Sequence, residues 1–364
     1  MRSPRLSRSV LTEGSNWMIV PVAIAVVSRI FSAILLAWYP RGPSPLLVNN
    51  PGPFVAWDGQ WYLSIVQFGY HADPIQAADL VGGHHDFAFY PGWPLLIKVA
   101  SLGGILSADL ISVLLANFLF VLAAVAVYAL FRGRFSERTA LWGTLLLAFN
   151  PASYVFSMAY TESLFVLLVG LYFLDRYGRA SPVLAGLSML VRVAGLALGA
   201  SAALMFVLNR APRARLVQIG VAIGLVFGAW WIYLWWLTGR FDGWFLGSAS
   251  WAPYEGIRAI RQELITHPSR ELVWGAFVLL MIVGCLLMLR RHLDMAVYGL
   301  IAIALSLAAA PAGSMARHSM VAFPAFGMIA DKLGPRLSAL LVIAFAVAEV
   351  GFVKFAFGAD SQPP

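Results

Sequence analysis

The chain has 364 residues, 60% hydrophobic and 12% charged, with a formal net charge of +8 and a mean hydropathy of +0.80. Soluble globular domains carry roughly 25% charged residues, so these values exclude that class. They also exclude nucleic acid as the reason for the positive charge, because the arginines gather in short segments between apolar runs, the pattern of orienting cytoplasmic loops.

Arg2, Arg5 and Arg8 precede the first apolar run, Trp17 to Tyr39, and place the N-terminus in the cytoplasm by the positive-inside rule. That run is too long for a signal-peptide core and has no Ala-x-Ala site, so it is expected to stay as an anchor. From residue 40 to 90 the chain is not membrane-like. It carries Pro40, Pro43, Pro45, Pro51 and Pro53, then Trp57 to Tyr70, then His84-His85-Asp86. A long outer loop of this kind is expected to be ordered and functional.

Wound as a helix at about 100° per residue, Trp57 to Phe68 puts Trp57, Trp61, Ile65 and Phe68 on one side and Gln60, Ser64 and Gln67 on another. Gly69 is its expected stop. Such a helix lies at the lipid–water interface, aromatics toward lipid. Asp58 falls outside the amide stripe and has no local partner.

Leu95 to Leu106 is too short to span and is placed at the interface, whereas Asp109 to Phe131 is a full span closed by Arg132, Arg134 and Arg138. A hairpin of short spans follows, Ala140–Phe156 and Leu164–Phe173. Residues 182–208 have basic residues at both ends, Arg179 before and Arg210, Arg213 and Arg215 after. Two half-length helices turning near Arg192 and Gly195 satisfy that charge pattern, and broken helices persist only where they are buried or line a cavity. Further runs cover Val217–Trp236, Glu271–Leu289, Met295–Ala310, Met320–Ile329 and Leu337–Phe357, with a second outer loop over residues 237–270. The expected fold is all-α and polytopic, a bundle of about ten or eleven helices, in one domain over residues 1–364. The single cysteine, Cys285, lies in an apolar run and excludes a disulfide framework. No Asn-x-Ser/Thr sequon occurs, which favours a bacterial plasma membrane.

On this topology four sets of costly polar groups share the outer face: Asp58 with His84-His85-Asp86, Glu162, Arg192, and Arg317-His318. Ionisable groups at membrane depth mark pathways or sites. Each has a plainer alternative. Asp58 and Glu162 can cap helices, Arg192 can snorkel or pair structurally, and Arg29 and Lys98 are expected to snorkel. The double histidine lacks a third ligand at metal spacing, so no metal is expected. There is no phosphate-loop or dinucleotide motif, which leaves a lipid-borne substrate. A transporter or flippase is the competing class.

Three ordered motifs carry a resemblance. They are Trp57-Asp58-Gly59 through Gly69-Tyr70, Phe87-Ala88-Phe89-Tyr90-Pro91-Gly92-Trp93-Pro94-Leu95-Leu96, and Asn150-Pro151-Ala152-Ser153 with Tyr160-Thr161-Glu162-Ser163-Leu164-Phe165. Together they resemble the PIG-V family of mannosyltransferases, within the GT-C glycosyltransferases. Arg317-His318 with Phe323-Pro324 resembles the family's C-terminal pattern. The resemblance implies a multispan GT-C-like bundle with a long first outer loop, a polyprenyl-phosphate sugar donor, and a lipid or glycan acceptor. It implies Asp58 as the acid of that loop.

The chemistry then needs a base for the acceptor proton and positive groups for the leaving phosphate. Asp58 is the expected base, and Arg192, Arg317 and His318 the expected phosphate contacts. Trp57, Gln60, His85, Asp86, Tyr90 and Glu162 are the expected substrate contacts. No cofactor is needed by this scheme.

Overall fold

Each long apolar run forms a helix, because in lipid every backbone N–H and C=O must find its partner within its own segment. The computed structural model describes residues 15–39, 52–71, 85–249, 265, 268–309 and 314–358. Arg2, Arg5, Arg8, His84, the prolines at 40, 43, 45 and 51, and most of the 250–267 part of the second loop lie outside them. No strand occurs among the described residues.

In chain order the helices are α1 (Ile19–Ala37), α2 (Asp58–Phe68), α3 (Gly92–Ala100), α4 (Ala108–Arg134), α5 (Glu137–Ala148), α6 (Glu162–Asp175) and α7 (Ser181–Val191). There follow α8 (Leu196–Val207), α9 (Arg213–Thr238), α10 (Gly243–Ala249), α11 (Pro268–Met288), α12 (Leu293–Ala309), α13 (Met315–Ser319) and α14 (Pro324–Phe357). Five stretches are long and apolar enough to cross a bilayer: Asn16–Ala37, Ala108–Arg134, Arg213–Thr238, Glu271–Met288 and Pro324–Phe357. The last bends at Gly334, where φ is +69° ahead of Pro335, a pair that cannot continue a regular helix.

The broken segment is as the charge pattern expects. α7 ends at Val191, Arg192 is extended, and a short 3-10 turn (Val193–Gly195) leads into α8. Gly186 of α7 and Gly199 of α8 both face α9 at one level, against Ala222 and Ile223. Two arms meeting one helix at the same height form a hairpin rather than one long tilted rod. Its tip needs Gly195, since a Cβ there would lie 2.6 Å from the Met189 backbone.

Two expectations about faces are corrected. The aromatic side of α2 packs into protein: Trp61 is buried and stacks on Phe89 at 5.6 Å, Tyr62 meets the same ring edge-on at 5.0 Å, and Ile65 is buried. Gln60, from the amide stripe, is buried too, while Phe68 is exposed. The segment following His85 folds back over the helix and takes the place assigned to lipid. Arg29 does not snorkel. It is buried and donates to Ser153 O (2.7 Å), Ser157 Oγ (3.1 Å) and Ala148 O (3.3 Å), with its guanidinium 4.3 Å from the Phe120 ring centre. A fully bonded guanidinium has no need of the headgroup layer. Lys98 is exposed, as snorkelling requires.

Candidate active site

The site is assembled where four chain segments end. Trp57 takes φ +54°, a region that side-chain-bearing residues rarely enter, and this turn makes Asp58 the first residue of α2. Gly59 lets the helix start sit on Ala159, where a Cβ would be 3.3 Å from the Ala159 Cβ. That contact puts the Asp58 N–H within 3.3 Å of the Tyr160 hydroxyl. The N-cap position falls to Trp57, which makes no side-chain cap bond, so the capping role open to Asp58 is not the one it takes. Its carboxylate instead meets Arg317 of α13, Oδ2 to Nη2, at 2.7 Å.

Tyr160, Thr161 and Glu162 form the entry to α6. Arg192, exposed to the site by the break between α7 and α8, donates through Nη1 to Thr161 Oγ1 at 2.8 Å and to Glu162 Oε1 at 2.5 Å. Its Nη2 lies 2.8 Å from His318 Nδ1. The other ring nitrogen, Nε2, is 3.0 Å from Arg317 Nη2. Arg317 also faces Glu162 at 3.5 Å and stands over the Tyr160 ring at 5.0 Å. Two carboxylates and two guanidiniums thus form a closed circuit with one histidine inside it.

Around Arg317 and His318 the circuit leaves donors without acceptors, while Glu162 Oε2 is left without a donor. Neutral imidazole has one acceptor nitrogen and one N–H, yet both nitrogens of His318 face guanidinium groups. Arg317 is 5% exposed, and its Nη1 and Nε have no hydrogen-bond acceptor. Burial, with Arg317 and then Arg192 beside it, pushes His318 well below the usual histidine range. Burial also disfavours the charge on Arg317, but Asp58 and then Glu162 more than offset it and hold the guanidinium protonated. Burial, reinforced by Asp58, raises the Tyr160 hydroxyl well above its ordinary range. Tyr160 therefore acts here as a neutral hydrogen-bonding group.

The remaining expected residues lie around this circuit or in a second cluster. Trp57 is half-buried and its indole donates to Ala356 O at 3.1 Å. Asp86 is buried and accepts from His71, N at 3.0 Å, with His71 Nδ1 at 2.8 Å. His85 stacks on Phe87. Tyr90 accepts from the Trp244 indole at 3.1 Å, and Tyr90 also packs on Trp230. This second cluster joins residues 71–90 to α10 and α9. Among the described residues no three His, Cys, Asp or Glu side chains gather at metal-binding distance. Sequence reasoning missed Tyr160 and Thr161 as members of the circuit. Their signal was present, since both stand in the motif that carries Glu162.

The two ends of the bundle differ in charge. Arg134 donates to Phe173 O, a carbonyl eleven residues beyond Glu162 along α6, or about 17 Å at 1.5 Å per residue. The circuit therefore sits at the end of α6 opposite the Arg132/Arg134 cluster.

The sequence model of the family described as Mannosyltransferase (PIG-V) matches residues 46–216, which include Asp58, Glu162 and Arg192. The GPI alpha-1,6-mannosyltransferase 2 of Mus musculus is 35% identical over 140 residues, 35% of this chain and 26% of its own length. This chain therefore matches about a quarter of that relative. Among solved structures, the apo oligosaccharyltransferase of Archaeoglobus fulgidus superposes with a TM-score of 0.54 at 16% identity, over 97% of this chain and 57% of that one. ArnT from Cupriavidus metallidurans, bound to undecaprenyl phosphate, superposes with a TM-score of 0.51 at 14% identity, over 92% of this chain and 63% of that one. At such identities the likeness is one of fold, and the fold is that of the GT-C enzymes. Over residues 46–216 the chain is similar to the PIG-V family model, and all three motifs fall within that match.

Proposed function

We propose that this chain is a membrane mannosyltransferase that moves mannose from a polyprenyl-phosphate donor to a hydroxyl of a lipid-linked or glycan acceptor. The observation that carries the reading is the convergence of Asp58, Glu162, Arg192, Arg317 and His318 in one circuit. A carboxylate beside a surplus of buried donors suits a reaction that removes a proton at one point and builds negative charge at another.

In this scheme the acceptor oxygen attacks the anomeric carbon as its proton passes to Asp58. The bond from that carbon to the phosphate oxygen breaks, and the polyprenyl phosphate leaves with one more negative charge. Arg192, Arg317 and His318 supply the donors that stabilise it. A single displacement inverts the anomeric centre. Glu162 holds Arg192 and Arg317 in place and presents its free oxygen, Oε2, to sugar hydroxyls. Trp57, Gln60, His85, Asp86 and Tyr90 frame the substrate from the first outer loop. The whole chain acts as a single domain, with residues 40–90 and 237–270 as its outer loops. The positive-inside rule turns the circuit outward and the Arg132/Arg134 end toward the cytoplasm of a bacterial plasma membrane.

The test is to incubate purified full-length protein in detergent with labelled polyprenyl-phosphate-mannose and membrane lipid extract, and to follow the mass of labelled product. Transfer without any gradient is the expected result. Donor left intact under these conditions, with uptake or flipping seen only in sealed vesicles, would establish the transporter reading instead.

A further inference from the structure

Arg317 has two claims on it. In the structure it holds the Asp58 carboxylate at 2.7 Å, and in the reaction it is needed by the phosphate. We infer that the Asp58–Arg317 ion pair is a latch that the donor phosphate opens, so that the base is released only when the donor is bound. This inference rests on the proposed function and adds an order of events to it.

Three features of the circuit support it. First, Arg317 is buried while the Asp58 side chain is 19% exposed, so the carboxylate is the member with room to move toward an incoming acceptor. Second, on the Arg317 side the circuit leaves donors without acceptors, its one free acceptor being Glu162 Oε2. Nη1 of Arg317, which has no acceptor, and the doubly opposed His318 are groups that the oxygens of a phosphate, with their several lone pairs, can satisfy. Third, the charges follow the reaction. Two carboxylates and two guanidiniums sum to zero in the resting circuit. As the acceptor proton moves to Asp58 its charge disappears, while the phosphate gains one. A guanidinium that shifts from Asp58 to phosphate therefore tracks the charge through the transition state. Until the donor arrives, a carboxylate held by Arg317 is a weak base. That protects the site from activating water in the absence of a sugar.

The latch makes a prediction of unusual sign: damaging the base improves phosphate binding. The probe is decaprenyl monophosphate, titrated into the purified full-length protein and read as an equilibrium dissociation constant. Asp58→Asn, or Asp58→Ser should the first variant fold poorly, is expected to bind the probe at least about fivefold more tightly than wild type, the lower edge of usual site–site coupling. In an Arg317→Ala background the same change should leave affinity unaltered, because the competition is gone. Equal affinity for wild type and Asp58→Asn overturns the latch and leaves the proposed function standing. Tightening of the same size with Arg317 removed also overturns it, since loss of any nearby negative charge would then suffice. Failure of the wild-type protein to bind the probe removes the proposed function itself, and the latch with it.

Discussion

Nη2 of Arg192 lies 2.8 Å from Nδ1 of His318, a residue 126 positions further along the chain. The contact closes the site from opposite sides, because Arg192 comes from the tip of the α7–α8 hairpin and His318 from α13. It also fixes the charge of the histidine, since a second proton would set an imidazolium between two guanidinium groups.

The pH dependence of stability follows from that charge. An unfolded histidine takes up its proton near about pH 6.5, whereas burial and the two arginines keep folded His318 neutral well below that. Between those values the unfolded chain binds a proton that the folded chain refuses. Stability is therefore full above about pH 6.5 and falls as the pH drops, with a slope of up to about 1.4 kcal/mol per pH unit from this group. Thermal unfolding in detergent between pH 7 and 5 should show this loss in wild type and a shallower one in His318→Gln. Parallel curves would remove His318 as the cause.

In the proposed reaction Arg192 binds the donor, and in the structure it pairs with Glu162. Its removal leaves Glu162, with a side chain 1% exposed, without its nearest cation. Unpairing a buried charge costs about 3–5 kcal/mol, and Arg317 at 3.5 Å places Arg192→Ala at the low end. Adding Glu162→Gln should recover part of that stability. Arg192→Lys should fold and keep some activity while using donor poorly, because one ammonium cannot reach Thr161, Glu162 and His318 at once. Unchanged donor dependence in Arg192→Lys would restrict the residue to packing.

Asp58→Asn separates chemistry from structure. Because Asp58 is not the N-cap of α2, the substitution removes its pair with Arg317, whose guanidinium keeps Glu162 at 3.5 Å, and the proposed proton acceptor. Expression should persist while transfer drops by a factor of at least about 10². Near-normal turnover would falsify the role of Asp58 as base.

Orientation can be read by labelling. With the one native thiol, buried Cys285, replaced by serine, Gln67→Cys on the exposed flank of α2 should react with an impermeant reagent in intact cells. Arg213→Cys, at the start of α9, should react only after lysis. The opposite pattern would turn the site to the cytoplasm and exclude an outward-facing reaction.

The helices were legible because hydropathy directly measures what lipid demands of a segment, and the hairpin around Arg192 because basic residues flank residues 182–208 at both ends. Asp58, Glu162, Arg192, Arg317 and His318 stood out for the cost of placing them beside a membrane. Their pairing was not legible. Which acid meets which arginine depends on contacts between distant segments, and no local spacing records them. The misplacement of Trp61 and Arg29 has one physical source. In a membrane protein, lipid and protein interior are both apolar, so periodicity shows that Trp61 seeks an apolar neighbour without showing that the neighbour is Phe89.

The family match ends at residue 216, and α13 begins at Met315. The matched part therefore carries Asp58, Glu162 and Arg192, whose charges sum to −1, while Arg317 and His318 come from the other side of that boundary. Alone, such a half presents a net acidic face, which in the proposed reaction would repel the donor phosphate. Neutrality of the centre is a joint product of the two halves. Chimeras that graft the matched segment onto a foreign C-terminal half must carry an arginine–histidine pair at the place of α13, or they will fold around a site that turns its substrate away.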